Sequence, residues 1–527
     1  MTDKAKAAPG NDAPKPSAAQ ETKDAQEAAA AEPFVLPSAA PGAAQGPAPD
    51  DGGLLALAAL ALLIGALSGL VGVTFRLVLE RADVFRTAVS KAAHAGGLSG
   101  FLFFTIACAI AVSTAAWLVR RFSPFASGSG IPHVEAVLNE ELPQAPFRLI
   151  PIKFAGGLLA IGSGLALGRE GPSVQMGASI AHLTGQMFRR NWPDCRVLFA
   201  AGAGAGLATA FNAPIAGAVF VLEELVRRFE PRIAIAALGA SATAITISRA
   251  IGGGKPDFSV EVLASASPLA HPLFFVLGAF AGFAAILYNR LLLKTMAAAA
   301  GLTLASLKPG AASTGAVIGA IAWCDVAFGV GAAVVALVYH RILARMMDDG
   351  ADAAPVELRA WLIGAAVGIL GWSAPGLVGG GDALTQKVLG GSEALAIVPL
   401  IFALRLVLGS VSYAAGTPGG LFAPLLVLGA QLGFVFGCVC KAAFPGLDIQ
   451  PTGFAVVGMT AFFTGVVRAP LTGIVLVSEM TSSVAMLLPM LSACFIAMVV
   501  PTRLNDAPIY DSLRELTLRA RADAGGD

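Results

Sequence analysis

Asn212-Ala-Pro-Ile-Ala-Gly-Ala-Val-Phe-Val-Leu-Glu223 returns 256 residues later as Arg468-Ala-Pro-Leu-Thr-Gly-Ile-Val-Leu-Val-Ser-Glu479. Upstream of each copy lies a glycine-rich break in apolar sequence, Gly168-Arg-Glu-Gly-Pro172 in the first half and Gly416-Thr-Pro-Gly-Gly-Leu-Phe-Ala-Pro424 in the second. Because the motifs keep their order in both halves, chance recurrence in a Gly/Ala-rich chain does not account for them. Two halves that each carry an interrupted helix in a corresponding position point to a substrate site at the repeat interface.

The solvent around those halves is lipid. Of 527 residues 56% are hydrophobic and 13% charged, where a soluble protein carries about 25% charge to wet its surface. The net charge of +1 supplies no basic field for phosphates, which argues against a nucleic-acid partner. Sixty-one glycines let membrane helices approach closely and mark helices broken on purpose. The six cysteines lack metal-type spacing and read as inert buried thiols, and nothing calls for a cofactor.

Residues 1–52, built from Ala, Pro, Gly, Lys, Asp and Glu, read as a disordered tail without the pattern of a signal peptide. The first membrane helix is expected from Leu54 to just before Arg76. Apolar segments follow up to 484–500, among them 197–222 and 313–343, and several are shorter than the roughly 20 residues of a simple span. Broken helices at membrane depth are tolerated where their backbone lines a cavity or is buried in protein, so the chain reads as a transport pathway rather than an anchor.

Three glycine-flanked breaks open helices: Gly128-Ser-Gly-Ile-Pro132, Gly168-Arg-Glu-Gly-Pro172 and Gly420-Leu-Phe-Ala-Pro424. Proline suits a helix's first turn, and glycine allows the sharp turn before it. Each break leaves free N–H groups and a positive dipole end inside the protein. Converging ends make an anion site with no full positive charge to hold the anion too tightly.

These motifs, with Arg148-Leu-Ile-Pro-Ile-Lys153 and Ala507-Pro-Ile-Tyr510, resemble the CLC family of chloride channels and chloride/proton antiporters, in its prokaryotic form, from about Gly69 to Ser512. The resemblance implies an all-α polytopic fold of two inverted-topology repeats of tilted and broken helices over residues 53–512, followed by a short cytoplasmic tail, 513–527. It implies a homodimer in a bacterial inner membrane with both termini cytoplasmic, carrying chloride and protons, rather than an enzyme. Residue by residue, Ser129 and Tyr510 match the hydroxyl donors to the central anion, with the N–H groups of Leu421 and Phe422 completing that site. Glu170 matches the external gating glutamate and Glu224 the internal proton-transfer glutamate of the exchangers; the passive channels of the family usually lack the second acid.

The residues also carry physics of their own. An ionisable group in a membrane segment is costly and faces a cavity or a partner. At a helix start Glu170 is favoured as an anion by N–H groups and as an acid by a nearby chloride, so its proton and the anion are coupled. Glu224 lies ten residues after Pro214, about 15 Å along a helix that Asn212 would cap and Arg227-Arg228 would end, near a basic and hence cytoplasmic end. Plainer roles compete: a Glu170–Arg169 or Glu170–lysine salt bridge, a Ser129 helix cap, an interfacial Tyr510, and Glu223 or Glu224 paired to the arginines. A Ser129/His133 hydrolase lacks a third group and a nucleophile elbow. His133 stands where the family often has glutamate, and a segment at roughly 297–350 is extra to the family's spacing; in it Leu337-Val-Tyr-His-Arg341 echoes Leu287-Tyr-Asn-Arg290.

Overall fold

The computed structural model describes residues 51–260, 263, 267–299 and 355–524. Apart from their edges, the expected tail at 1–52 and the extra segment at 297–350 lie outside the described residues, as does the apolar stretch 313–343.

Seventeen α-helices build the described chain, with no β-strand among those residues. The first half holds α1 (Asp51–His94), α2 (Gly97–Phe122), α3 (Ile131–Leu138), α4 (Leu149–Gly162), α5 (Glu170–Met187), α6 (Trp192–Phe211), α7 (Pro214–Phe220) and α8 (Pro231–Gly252). The second holds α9 (His271–Ala299), α10 (Val356–Ser373), α11 (Asp382–Leu389), α12 (Val398–Tyr413), α13 (Phe422–Ala443), α14 (Pro451–Val467), α15 (Pro470–Thr481) and α16 (Leu487–Arg503), and α17 (Ile509–Ala524) follows. Among the described residues six helical stretches are long and apolar enough to cross a membrane. The eight-residue α3 and α11 are too short for a hydrocarbon core of about 30 Å; α3 is buried along its whole length, while Asp382 and Lys387 of α11 are exposed.

The helix packing repeats. Helix α5 lies on α6 as α13 lies on α14, and α1 packs on α6 and α8 as α9 packs on α14 and α16. Both crossings of the first kind depend on glycine pairs: a Cβ on Gly177 or Gly202, or on Gly429 or Gly458, would overlap the carbonyl oxygen of its opposite number. That is the close approach small residues permit between membrane helices.

Between the halves α7 meets α15 by a crossed exchange. The Glu223 carboxylate accepts from the N–H groups of Leu471 (2.9 Å) and Thr472 (2.6 Å), and Glu479 accepts from Ile215 (3.1 Å) and Ala216 (2.9 Å). Each copy of the repeated motif thus caps the first turn of the other copy, and such a reciprocal contact is what a two-fold relation between the halves requires. The architecture is the expected pair of inverted repeats.

This exchange corrects one expectation. Asn212 does not cap α7: it closes α6 in the left-handed region (φ 51°), and its side chain bonds Lys255 O and the Arg249 guanidinium, both at 2.9 Å. Since α7 draws its capping acceptor from the other half, the asparagine is free to take the helix-ending position it favours. The apolar run 197–222 is accordingly two helices. Nor does α1 stop before Arg76. The guanidinium bonds Asp257 at 2.7 Å and Glu80 at 3.0 Å, and with its charge paired the helix continues to His94. The boundary drawn after residue 512 falls inside α17, whose Leu513 and Leu516 are buried.

Glu479→Ala should leave the Ile215 and Ala216 amides without an acceptor and cost about 1–2 kcal/mol, the range of a lost helix cap. Its check is a lower unfolding temperature in detergent for this variant and for Glu223→Ala, with similar shifts in the two.

Candidate anion and proton site

The three glycine-flanked breaks meet in space. Gly128 N–H donates to Thr417 O (3.1 Å) and Gly419 N–H to Gly128 O (3.1 Å), while Gly168 and Gly420 exchange N–H···O bonds of 2.8 and 2.7 Å. Four backbone bonds therefore tie the breaks at 128 and 168 to the one at 417–420, some 250 to 290 residues further along the chain. The helices that start at these breaks, α3, α5 and α13, bring their positive ends to one buried region.

Glu170, the first residue of α5, is fully buried there. Its Oε1 accepts from the Phe422 N–H at 2.5 Å and its Oε2 has no hydrogen-bond partner. Glycine is required around it, because a Cβ on Gly168 or Gly420 would overlap the carboxylate. Neither neighbouring cation forms the salt bridge that competed for Glu170. Arg169 binds Asp257 at 3.1 Å, Asp382 at 3.8 Å and the Ala210 carbonyl at 2.8 Å. Lys153, also fully buried, donates to the Ala126 and Gly128 carbonyls at 3.1 and 2.8 Å.

Ser129 and Tyr510 come to the same region. Both side chains are fully buried, and their hydroxyls face one another with no other hydrogen-bond partner. Ser129 is not a helix cap, since α3 is preceded by Gly130 and no side chain caps it. Its Oγ rests against Gly171 in the first turn of α5. Tyr510 is not an interfacial tyrosine: its ring lies 6.0 Å from that of Phe422, which also packs on Phe211, Phe220 and Phe463. Leu421, the residue before α13, is buried at the same break. Ser129, Glu170, Leu421, Phe422 and Tyr510 are thus brought together, with one difference: the Phe422 amide, expected to serve an anion, holds the Glu170 carboxylate.

Glu224 belongs to a second cluster. It lies on a widened helical turn, Val221–Leu225, that continues α7. Buried, it sits 3.7 Å from the Arg227 guanidinium, which also binds Glu135 at 3.2 Å and Asp511 at 2.8 Å. Glu223 is engaged at α15 instead. His133 Nδ1 meets Gln175 Nε2 at 3.2 Å and its ring packs on Phe125, so no Ser129/His133 pair forms.

Sequence reasoning missed Glu135, Arg405 and Tyr413, and gave Lys153 no role. Arg405 is buried and braces the Leu377, Gly379 and Gly380 carbonyls at 3.2, 2.7 and 2.9 Å. The available signal was an ionisable residue inside an apolar run; Tyr413 carried none.

Inverted halves whose broken helices aim their N-termini at one buried carboxylate define a multi-pass membrane protein built for passing ions. Comparison narrows the class. A family model described as "Voltage gated chloride channel" matches residues 108–331 and 316–502, and the chain belongs to that family, the CLC proteins. It is 34% identical over 463 residues to "H(+)/Cl(-) exchange transporter ClcA" of Vibrio parahaemolyticus, covering 87% of this chain and 89% of the relative. It is 35% identical over 472 residues to the protein of the same name from Cronobacter sakazakii, covering 88% and 90%. Among solved structures, a slow cyanobacterial Cl-/H+ antiporter superposes with a TM-score of 0.75 at 29% identity, over 88% of this chain and 98% of that one. A CLC-type fluoride/proton antiporter shares the fold, with a TM-score of 0.67 at 22% identity, over 88% and 99% of the two chains.

Proposed function

We propose that this protein exchanges chloride for protons across the membrane, with Glu170 as the gate both ions use. The observation that carries the reading is the 2.5 Å bond from the Phe422 N–H to Glu170 Oε1. One amide at the start of α13 serves either the carboxylate or an anion. While ionised, Glu170 keeps it. Protonation removes the charge that holds the carboxyl there, and chloride takes the amide together with the Leu421 N–H and the Ser129 and Tyr510 hydroxyls, which have no other partner. The anion's departure returns the amide to Glu170, which gives up its proton as it re-ionises.

A proton bound for Glu170 from the cytoplasm must cross a low-dielectric interior, where a bare charge is expensive. Glu224, close to Arg227 and Glu135, serves as the carboxylate that receives it, on a route separate from the anion's. The relatives' names as H(+)/Cl(-) exchangers support the same reading. The bacterial relatives support placement in a bacterial inner membrane, and Arg514, Arg519 and Arg521 on α17 favour a cytoplasmic C-terminus. The homodimer rests on the family resemblance alone.

The test uses purified protein in liposomes under a chloride gradient. The wild type should drive protons uphill, and Glu224→Gln should keep chloride transport while losing at least about tenfold in coupled proton flux, a barrier increase of about 1.4 kcal/mol. Chloride flow without proton movement in the wild type, unchanged in Glu224→Gln, would make the protein a passive channel.

A further inference from the structure

The last turn of α12 holds both glycine breaks of the first half. Ser412 Oγ accepts from the Ala166 N–H at 3.0 Å, two residues before Gly168. The next side chain, Tyr413, accepts from the Ser129 N–H at 3.1 Å through its hydroxyl. Tyr413 is buried, with its hydroxyl also against Gly128. The Ser129 amide, two residues before α3, is therefore spoken for on the segment that carries the Ser129 hydroxyl. A free backbone N–H beside a helix start can serve an anion, and a phenol oxygen that accepts its hydrogen bond fills the place the anion would occupy.

We infer that Tyr413 is a positioning residue that withholds the Ser129 amide from chloride, leaving the anion beside α3 to neutral hydroxyl donors. The inference rests on the exchange reading above, because it takes chloride to be the ion in this region. Its physical content is weaker retention. A hydroxyl donor lets an anion go more readily than a fixed backbone amide, so Tyr413 favours release over tight binding. Phenylalanine at this position keeps the ring and removes only the oxygen.

Tyr413→Phe should therefore bind chloride roughly three- to tenfold more tightly by calorimetry, the worth of one regained hydrogen bond. In liposomes the half-saturating chloride concentration and the maximal rate should both fall, a split that a merely packing role would not produce. Crystals grown in bromide should show anomalous density at the Ser129 N–H in the variant and none there in the wild type. Tyr413→Leu, which also removes the hydroxyl, should move affinity in the same direction. Unchanged or weaker binding in both variants, with no new bromide peak, overturns the inference and leaves the exchange reading standing. Absence of anion binding in wild type and variants alike overturns both.

Discussion

Glu170→Gln is expected to abolish proton transport while chloride continues to flow and loses its pH dependence. The glutamine side chain fits the same cradle between Gly168 and Gly420, and its amide oxygen can still face the Phe422 N–H. It has no proton to give up in the physiological range and no charge to set against the anion. Hydrogen bonds to charged groups contribute about 1.5–3 kcal/mol and neutral ones about 0.5–1.5, so the side chain loses about 1–2 kcal/mol of its hold on the amide. Chloride should bind more tightly by about tenfold. Simultaneous chloride and pH electrodes on a liposome suspension read both fluxes. Continued uphill proton pumping by this variant would remove Glu170 from the gating role.

The second large effect is expected at Lys153. Its ammonium lies buried and donates to the carbonyls of Ala126 and Gly128, on the strand of chain that presents Ser129. Lys153→Met keeps the length and apolar bulk of the side chain and removes the charge and both donors. Chloride flux should fall by about tenfold or more, equivalent to about 1.4 kcal/mol in transport barrier, because the Gly128 loop, which presents Ser129, loses two of its ties. Stability should change less. Leaving the Ala126 carbonyl unpaired costs about 1–3 kcal/mol, but removing a charge from the interior relieves a desolvation penalty. Lys153→Arg, which keeps the charge, should retain more flux than Met. Equal flux in the wild type and Lys153→Met would show that the lysine's bonds to the Gly128 loop do not govern transport.

What could be read in advance divides by the range of the interaction. The breaks before α3, α5 and α13 were visible because glycine and proline act on their own backbone, and the acid inside one of them stood out against apolar surroundings. Asn212 was misread because an asparagine before Ala-Pro is a plausible local cap, while the actual acceptor, Glu479, lies in the other half. Arg76 looked like a membrane boundary because its partner Asp257 is far along the chain. Tyr413 was invisible for a related reason: its hydroxyl acts on an amide 284 residues away, and nothing in the residues around it distinguishes it from core.

The crossed capping also sets a timetable for folding. Helix α7 leaves the ribosome with its first-turn amides unmatched, and the carboxylate that receives the Ala216 N–H is 263 residues further on. At a synthesis rate of about 5–20 residues per second, that interval is on the order of tens of seconds. Helix α15, by contrast, emerges with Glu223 already in place. The earlier half therefore waits, incompletely closed, for the later one, and an arrested chain ending before Glu479 would present an α7 that cannot settle.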